Sequence, residues 1–177
     1  MKHAITICYI SLISVLCIFT ASASEKGWLN KNIELTDAKG KKTALLQFGS
    51  PISDSRLTAW MRKGEKTLYS EDGRVTYGIL YDPSAAVDTG RTRQGMREVM
   101  IKGYIKSSYI SPTLEESLSE YEDKYYDICS SCHSAINLSR FSIDQWAGIM
   151  NSMKTHAQIS DNDSAGLYRY IKLIISD

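Results

Sequence analysis

The hydrophobic period of this chain changes near Ser111, and that change limits the fold more than any other feature of the sequence. Over residues 32–110 apolar and polar residues alternate in short runs broken by turn sequences, the pattern of strands buried on one face. "NIELTD" and "TALLQFG" flank the turn "AKGK", and "KTLYS" and "RVTYGILY" flank "EDG", a strong hairpin signal. "EVMIKGYIKSSYI" adds two short strands with Gly103 between them. This predicts an all-β unit of about five or six strands, and a small barrel is the economical way to hide its edges. Residues 84–95, "SAAVDTGRTRQG", read as a long polar loop between strands.

After Ser111 the period lengthens to that of a helix. Leu114, Leu118, Tyr121, Tyr125 and Ile128 fall on one helix face, capped by Ser111-Pro112 or by Thr113 with Glu116. A second helix starts at the capping box Ser142–Gln145 and runs to about Thr155, with Trp146, Ile149, Met150 and Met153 on its apolar face. A third starts near Ser160 and aligns Leu167, Tyr168, Ile171 and either Ile174 or Ile175. The expected fold class is α+β: a β domain over 24–110, then a three-helix domain over 111–177.

The first residues are set apart from both. Lys2, an apolar run from Ala4 to Phe19 and the small residues Ala21 and Ala23 form a secretory signal peptide over 1–23, cut after Ala23. An uncleaved anchor is the alternative, but the run falls short of the roughly 20 residues a spanning helix needs. Leu16, a bulky residue directly before Cys17, argues against a lipoprotein. Export places the mature chain in the periplasm.

Composition matters at this point. Of 21 basic residues Lys2 leaves with the signal peptide, so 20 face 20 acidic ones, and nothing in the balance points to nucleic acid or anionic lipid. The charge is uneven, however: Glu115, Glu116, Glu120, Glu122, Asp123 and Asp127 crowd the first helix against Lys124 alone. That run is either a solvated helix face or a docking surface for a basic partner. Cys8 and Cys17 also leave, so the mature chain keeps only Cys129 and Cys132.

Those two thiols belong to "CSSCH", Cys129 to His133, and C-x-x-C-H is the attachment signature of c-type haem. Two thiols three positions apart reach the two vinyl groups on one porphyrin edge. The adjacent His133 then offers its imidazole to the iron as the proximal ligand. A zinc site would need four ligands, and His156 is the one further mature histidine. A thioredoxin-like pair would need a strand before it, where this chain has an acidic helix. One covalent haem c also accounts for the small helical half, since domains below about 70 residues usually need a staple. For the distal iron ligand Met153 leads, with His156 and Met150 as alternatives and an open coordination site as a further one. Methionines on an apolar helix face also serve simply as packing.

Three resemblances follow from these residues. Gly103, Tyr104, Ile105, Ser107, Ser108, Tyr109 and Ile110 resemble the closing strands of bacterial SH3-like domains. The helical half resembles small monohaem, class I-like cytochromes c, whose first and third helices cross in front of the haem. Together, the SH3-like region and "CSSCHSAINLSRFSIDQWAGIMNSMKTH" resemble the C-terminal part of the pentahaem cytochromes of the trimethylamine N-oxide respiratory system. The matching residues are Cys129, Cys132, His133, Phe141, Ser142, Gln145, Trp146 and Met153, and the likeness extends over the mature chain. It implies a periplasmic domain passing electrons toward a terminal reductase. Those proteins carry a membrane-anchored tetrahaem module before this domain, whereas this chain has one haem motif, so quinol oxidation is not implied.

The expected function is therefore a periplasmic monohaem c-type cytochrome carrying single electrons toward a terminal reductase of anaerobic respiration. No catalytic activity of its own is expected. Its partners would be a donor cytochrome or quinol dehydrogenase and an acceptor reductase, with no nucleic acid and contact with membrane only through partners. The alternative is a haem-containing regulatory module or gas sensor that docks a reductase or sensor protein through its SH3-like half.

Overall fold

The computed structural model describes residues 26–176, so the expected signal peptide lies outside the described residues. The chain first forms β1 (Lys26–Leu29), β2 (Ile33–Thr36), β3 (Lys42–Leu46), β4 (Pro51–Ser53) and β5 (Arg56–Arg62). It continues through β6 (Thr67–Tyr69), β7 (Thr76–Leu80), β8 (Ala86–Arg93), β9 (Met96–Lys102) and β10 (Ile110–Ser111). Three helices follow: α1 (Leu114–Cys129), α2 (Ile143–His156) and α3 (Asp161–Ser176). The fold is α+β.

Ten strands are present among the described residues where the sequence pattern predicts about half as many. The reason is physical. β4 has three residues, too few to show a period, and β5 buries Ala59, Trp60 and Met61 in succession, which breaks its alternation. β8 buries no residue, so it has no alternation to read. The expected loop over 84–95 is thus mostly strand: β8 pairs with β9 from Ala86↔Ile101 to Arg93↔Met96, with a bulge between Asp88 and Thr92.

Every pairing is antiparallel, in the order β10-β1-β4-β5-β6-β7-β3-β2. β9 runs along the length of β5 and carries β8 on its other edge. Inward residues from almost every strand meet in one cluster, among them Leu29, Leu35, Leu46, Leu57, Leu68, Leu80 and Ile101. Each fully buried aliphatic side chain of this size contributes about 1.5–3 kcal/mol. The sheet therefore curls around its own core. Gly103, beyond β9, lies so close to Leu35 of β2 that a Cβ there would stand 2.9 Å from its Cδ1.

The helices start where the sequence caps them. Thr113 accepts from Glu116 N at 3.1 Å, and Ser142 and Gln145 close a full capping box at 2.9 and 3.3 Å. Ser160 accepts from Asp163 N at 3.1 Å and leads into α3. α1 and α3 meet at Gly166, where a Cβ would stand 2.1 Å from the Tyr121 ring, so only glycine permits this approach. The predicted face of α3 packs inward with Ile175 as its last member: Leu167 and Ile171 are buried, Tyr168 and Ile175 are half-buried against the cluster, and Ile174 is exposed. Tyr170 and Leu173 are buried as well and widen that face.

The sheet and the helices are joined through shared packing. Phe48 and Val75 belong to the helical cluster, and Phe48 stacks on Tyr121 at 4.2 Å with the rings nearly parallel. Arg169 of α3 reaches across and donates to the carbonyls of Phe48 (2.8 Å) and Thr76, to Gln47 Oε1 (2.9 Å) and to Ser50 Oγ (3.3 Å).

Candidate cofactor site

α1 runs straight into the C-x-x-C-H motif, with Cys129 as its last residue. The two serines between the thiols fold the chain back on that helix end. Ser130 Oγ donates to Tyr126 O, and Ser131 Oγ donates to Ile128 O at 2.7 Å. Cys132 and His133 then follow in the loop, both exposed, while Cys129 is half-buried. Both thiols are free, and burial holds that of Cys129 above its ordinary pKa, hence protonated at neutral pH.

His133 has a defined orientation. Its Nδ1 lies 2.8 Å from the Ser134 carbonyl, which only accepts, so Nδ1 carries the proton and donates. In that tautomer Nε2 carries the lone pair and is the nitrogen a metal would take.

The loop after the motif is pinned from two sides. Tyr125 Oη of α1 donates to Ile136 O, and Trp146 Nε1 of α2 donates to Leu138 O at 2.8 Å. Phe141 meets Trp146 edge-on at 5.7 Å. α2 then presents Trp146, Ile149, Met150, Met153 and His156 at helical spacing.

These pieces surround one cavity of about 320 Å³. Cys129, Cys132 and His133 line it from the motif, and Met150, Met153 and His156 line it from α2. Tyr125, Ile128, Ile136, Phe141, Trp146 and Ile149 complete an almost wholly apolar wall. The three candidate distal ligands differ in setting: Met150 is buried in the helical cluster, Met153 is half-buried, and His156 is exposed at the end of α2. The donor set fits a c-type haem: two unpaired thiols, an imidazole with a free Nε2 and a thioether share one apolar space. Among the described residues no group of three or more His, Cys, Asp or Glu is placed to hold a metal ion.

Sequence reasoning names the motif and the α2 face but misses the two donors that pin the loop. Tyr125 and Trp146 each read only as helix-face apolar residues, and a side-chain bond to a distant carbonyl leaves no pattern. Among the described residues no helix is long and apolar enough to cross a membrane.

No family model matches the chain, and no solved structure matches it. Two curated proteins are similar to it. The cytochrome c-type protein TorY of Haemophilus influenzae is 22% identical over 158 residues, 79% of this chain and 43% of that protein. The cytochrome c-type protein TorY of Escherichia coli O157:H7 is 24% identical over 166 residues, 89% of this chain and 43% of that protein. The chain spans less than half the length of these curated relatives.

Proposed function

We propose that this chain is a periplasmic monohaem c-type cytochrome that carries single electrons toward a terminal reductase of anaerobic respiration, the trimethylamine N-oxide system being the nearest model. The observation that carries the proposal is the cavity where Cys129, Cys132 and His133 face Met150, Met153 and His156 across apolar walls. The similarity to cytochrome c-type proteins supports the same reading. Residues 1–23 act as the export signal, 24–110 as an SH3-like β domain and 111–177 as a class I-like cytochrome domain. Donor cytochrome or quinol dehydrogenase and acceptor reductase are the partners, and the chain performs no catalysis of its own.

Haem, when bound, supplies an iron that takes up and returns one electron. The rest is work for the chain's own residues. Cys129 and Cys132 would tether the porphyrin as thioethers, and the Ser130 and Ser131 bonds to α1 hold the loop that carries them. The Ser134 carbonyl keeps His133 in the tautomer that ligates through Nε2. Met153 serves as the distal ligand. All three candidates line the cavity, but Met153 is half-buried there, whereas Met150 is packed into the helical core and His156 lies at the exposed helix end. Ile149, Phe141 and Ile136 keep water away from the centre, and a thioether in a dry site raises the reduction potential relative to two histidines.

Acid–acetone extraction tests the tether: pigment must stay with the protein. Met153→Ala tests the ligand. It should abolish the sulfur-to-iron absorption of the oxidised form, lower the potential and admit carbon monoxide to the reduced form, with the pigment still covalent. An unchanged spectrum in Met153→Ala together with an altered one in His156→Ala would make the site bis-histidine.

A further inference from the structure

A second cleft, of about 580 Å³, lies between α3 and the sheet, with Asn32, Gln47, Phe48, Tyr121, Arg169 and Lys172 among its walls. Two of its side-chain amides are fixed as donors. Asn32 Oδ1 accepts from Phe48 N at 2.9 Å, and Gln47 Oε1 accepts from Arg169 Nη1 at 2.9 Å. Both amide orientations are forced, because an amide accepts an N–H only through its oxygen. The NH₂ groups of Asn32 and Gln47 are thereby left as donors. Arg169 directs four of its five N–H groups to Phe48 O, Thr76 O, Gln47 Oε1 and Ser50 Oγ, leaving one on Nη2.

Charge points the same way. All four acceptors of Arg169 are neutral, and burial brings its pKa down to about 10. Lys172, nearly one turn along α3, is held below the ordinary lysine value by burial and then by Arg169. No ion pair among the described residues includes Arg169 or Lys172, and unlike the fully exposed cations of the surface both are partly buried. No Asp or Glu lines the cleft. Two half-buried cations without a counter-ion are costly, and a bound anion would supply both the charge and the missing lone pairs.

We propose that this cleft binds an oxyanion, a carboxylate or phosphate group held between Arg169 and Lys172 with the amides of Asn32 and Gln47 as further donors. The site is separate from the cavity of the C-x-x-C-H motif, since no residue lines both. The stacked Phe48–Tyr121 pair gives it a rigid wall.

Calorimetry of the holoprotein at constant ionic strength, with inorganic phosphate or succinate replacing chloride, tests this. A saturable rise in melting temperature is expected, roughly 5–10 °C at a hundredfold excess over Kd. Response to phosphate alone assigns a phosphate group, response to succinate alone assigns a carboxylate, and response to both assigns an oxyanion of either kind. Lys172→Gln should melt in chloride no lower than the wild type, since it removes one of the two unpaired cations, and should lose the response. Neither anion acting on the wild type, or Lys172→Gln responding like it, overturns the proposal and leaves Arg169 as a tie between sheet and helices.

Discussion

The two halves of this molecule fill their interiors in different ways. The sheet closes on residues drawn from its own strands and the segment after them: Leu29, Leu46, Leu57, Leu68, Leu80 and Ile101 form a contiguous core without help from the helices. The helical half does not. Its cluster takes Phe48 and Val75 from the sheet, and beside Tyr125, Trp146 and Met150 it keeps a cavity of about 320 Å³. What sets that space apart is its lining, almost wholly apolar yet carrying both thiols and the imidazole of the motif. One half closes on its own residues; the other borrows from its neighbour.

The largest expected effect breaks that comparison most directly. Cys129→Ser with Cys132→Ser should abolish covalent pigment. It should also strip hydrogen-exchange protection from α1, α2 and α3 while β5 and β9 stay protected. Equal protection of helices and sheet in the pigment-free variant would mean that the helical core stands unaided.

Trp146→Ala comes next. It removes a side chain 2% exposed and the donor to Leu138 O, and should cost about 3–5 kcal/mol of stability in chemical denaturation. The loss belongs to the helical half, so circular dichroism should fall before the sheet's own signals do. Gly166→Ala is smaller in atoms but meets the Tyr121 ring at 2.1 Å, and about 1–3 kcal/mol is expected from the forced separation of α1 and α3.

Arg169→Met probes the tie between the halves. It gives up four hydrogen bonds but also relieves a half-buried charge, so a net loss of about 1–3 kcal/mol is expected. The sharper readout is the shape of the curve. A single unfolding transition in the wild type should split into two, the helices melting first. A single transition retained in Arg169→Met would assign the coupling to Phe48 and Tyr121 instead.

What could be read in the sequence follows from how local each feature is. The caps at Thr113 and Ser142, the turn at "EDG" and the C-x-x-C-H motif are each written in a few neighbouring residues. β8 escaped because both of its faces are exposed, which leaves no alternation. Gly166 left no signal because it acts by what it permits, an approach of Tyr121 from another helix. Arg169 carried no signal at all: in the sequence it is one more helix cation, and only the loop around Gln47–Ser50 gives it a function.

The smallest effect separates the halves by pH. Tyr121, Tyr125, Tyr168 and Tyr170 all titrate above the ordinary tyrosine value, chiefly because burial disfavours the phenolate, and Tyr125 is pushed up to about 12. Tyr77, beside the junction with the helices, is shifted in the same direction. A raised folded-state pKa favours the neutral phenol in the fold. That stability is fully present below pH 10 and is lost as pH climbs through the folded values. The helices should therefore melt in alkali, from pH 10 up to about 12, before the sheet does. Tyr170→Phe isolates the cause. The ring is buried and its hydroxyl makes no hydrogen bond among the described residues, so at neutral pH the change should cost less than about 0.5 kcal/mol. In alkali it removes one phenol that must ionise, and the helical midpoint should move to higher pH while that of the sheet stays put. An unmoved helical midpoint would shift the alkaline weakness to Tyr125, whose bond to Ile136 O holds the cavity loop.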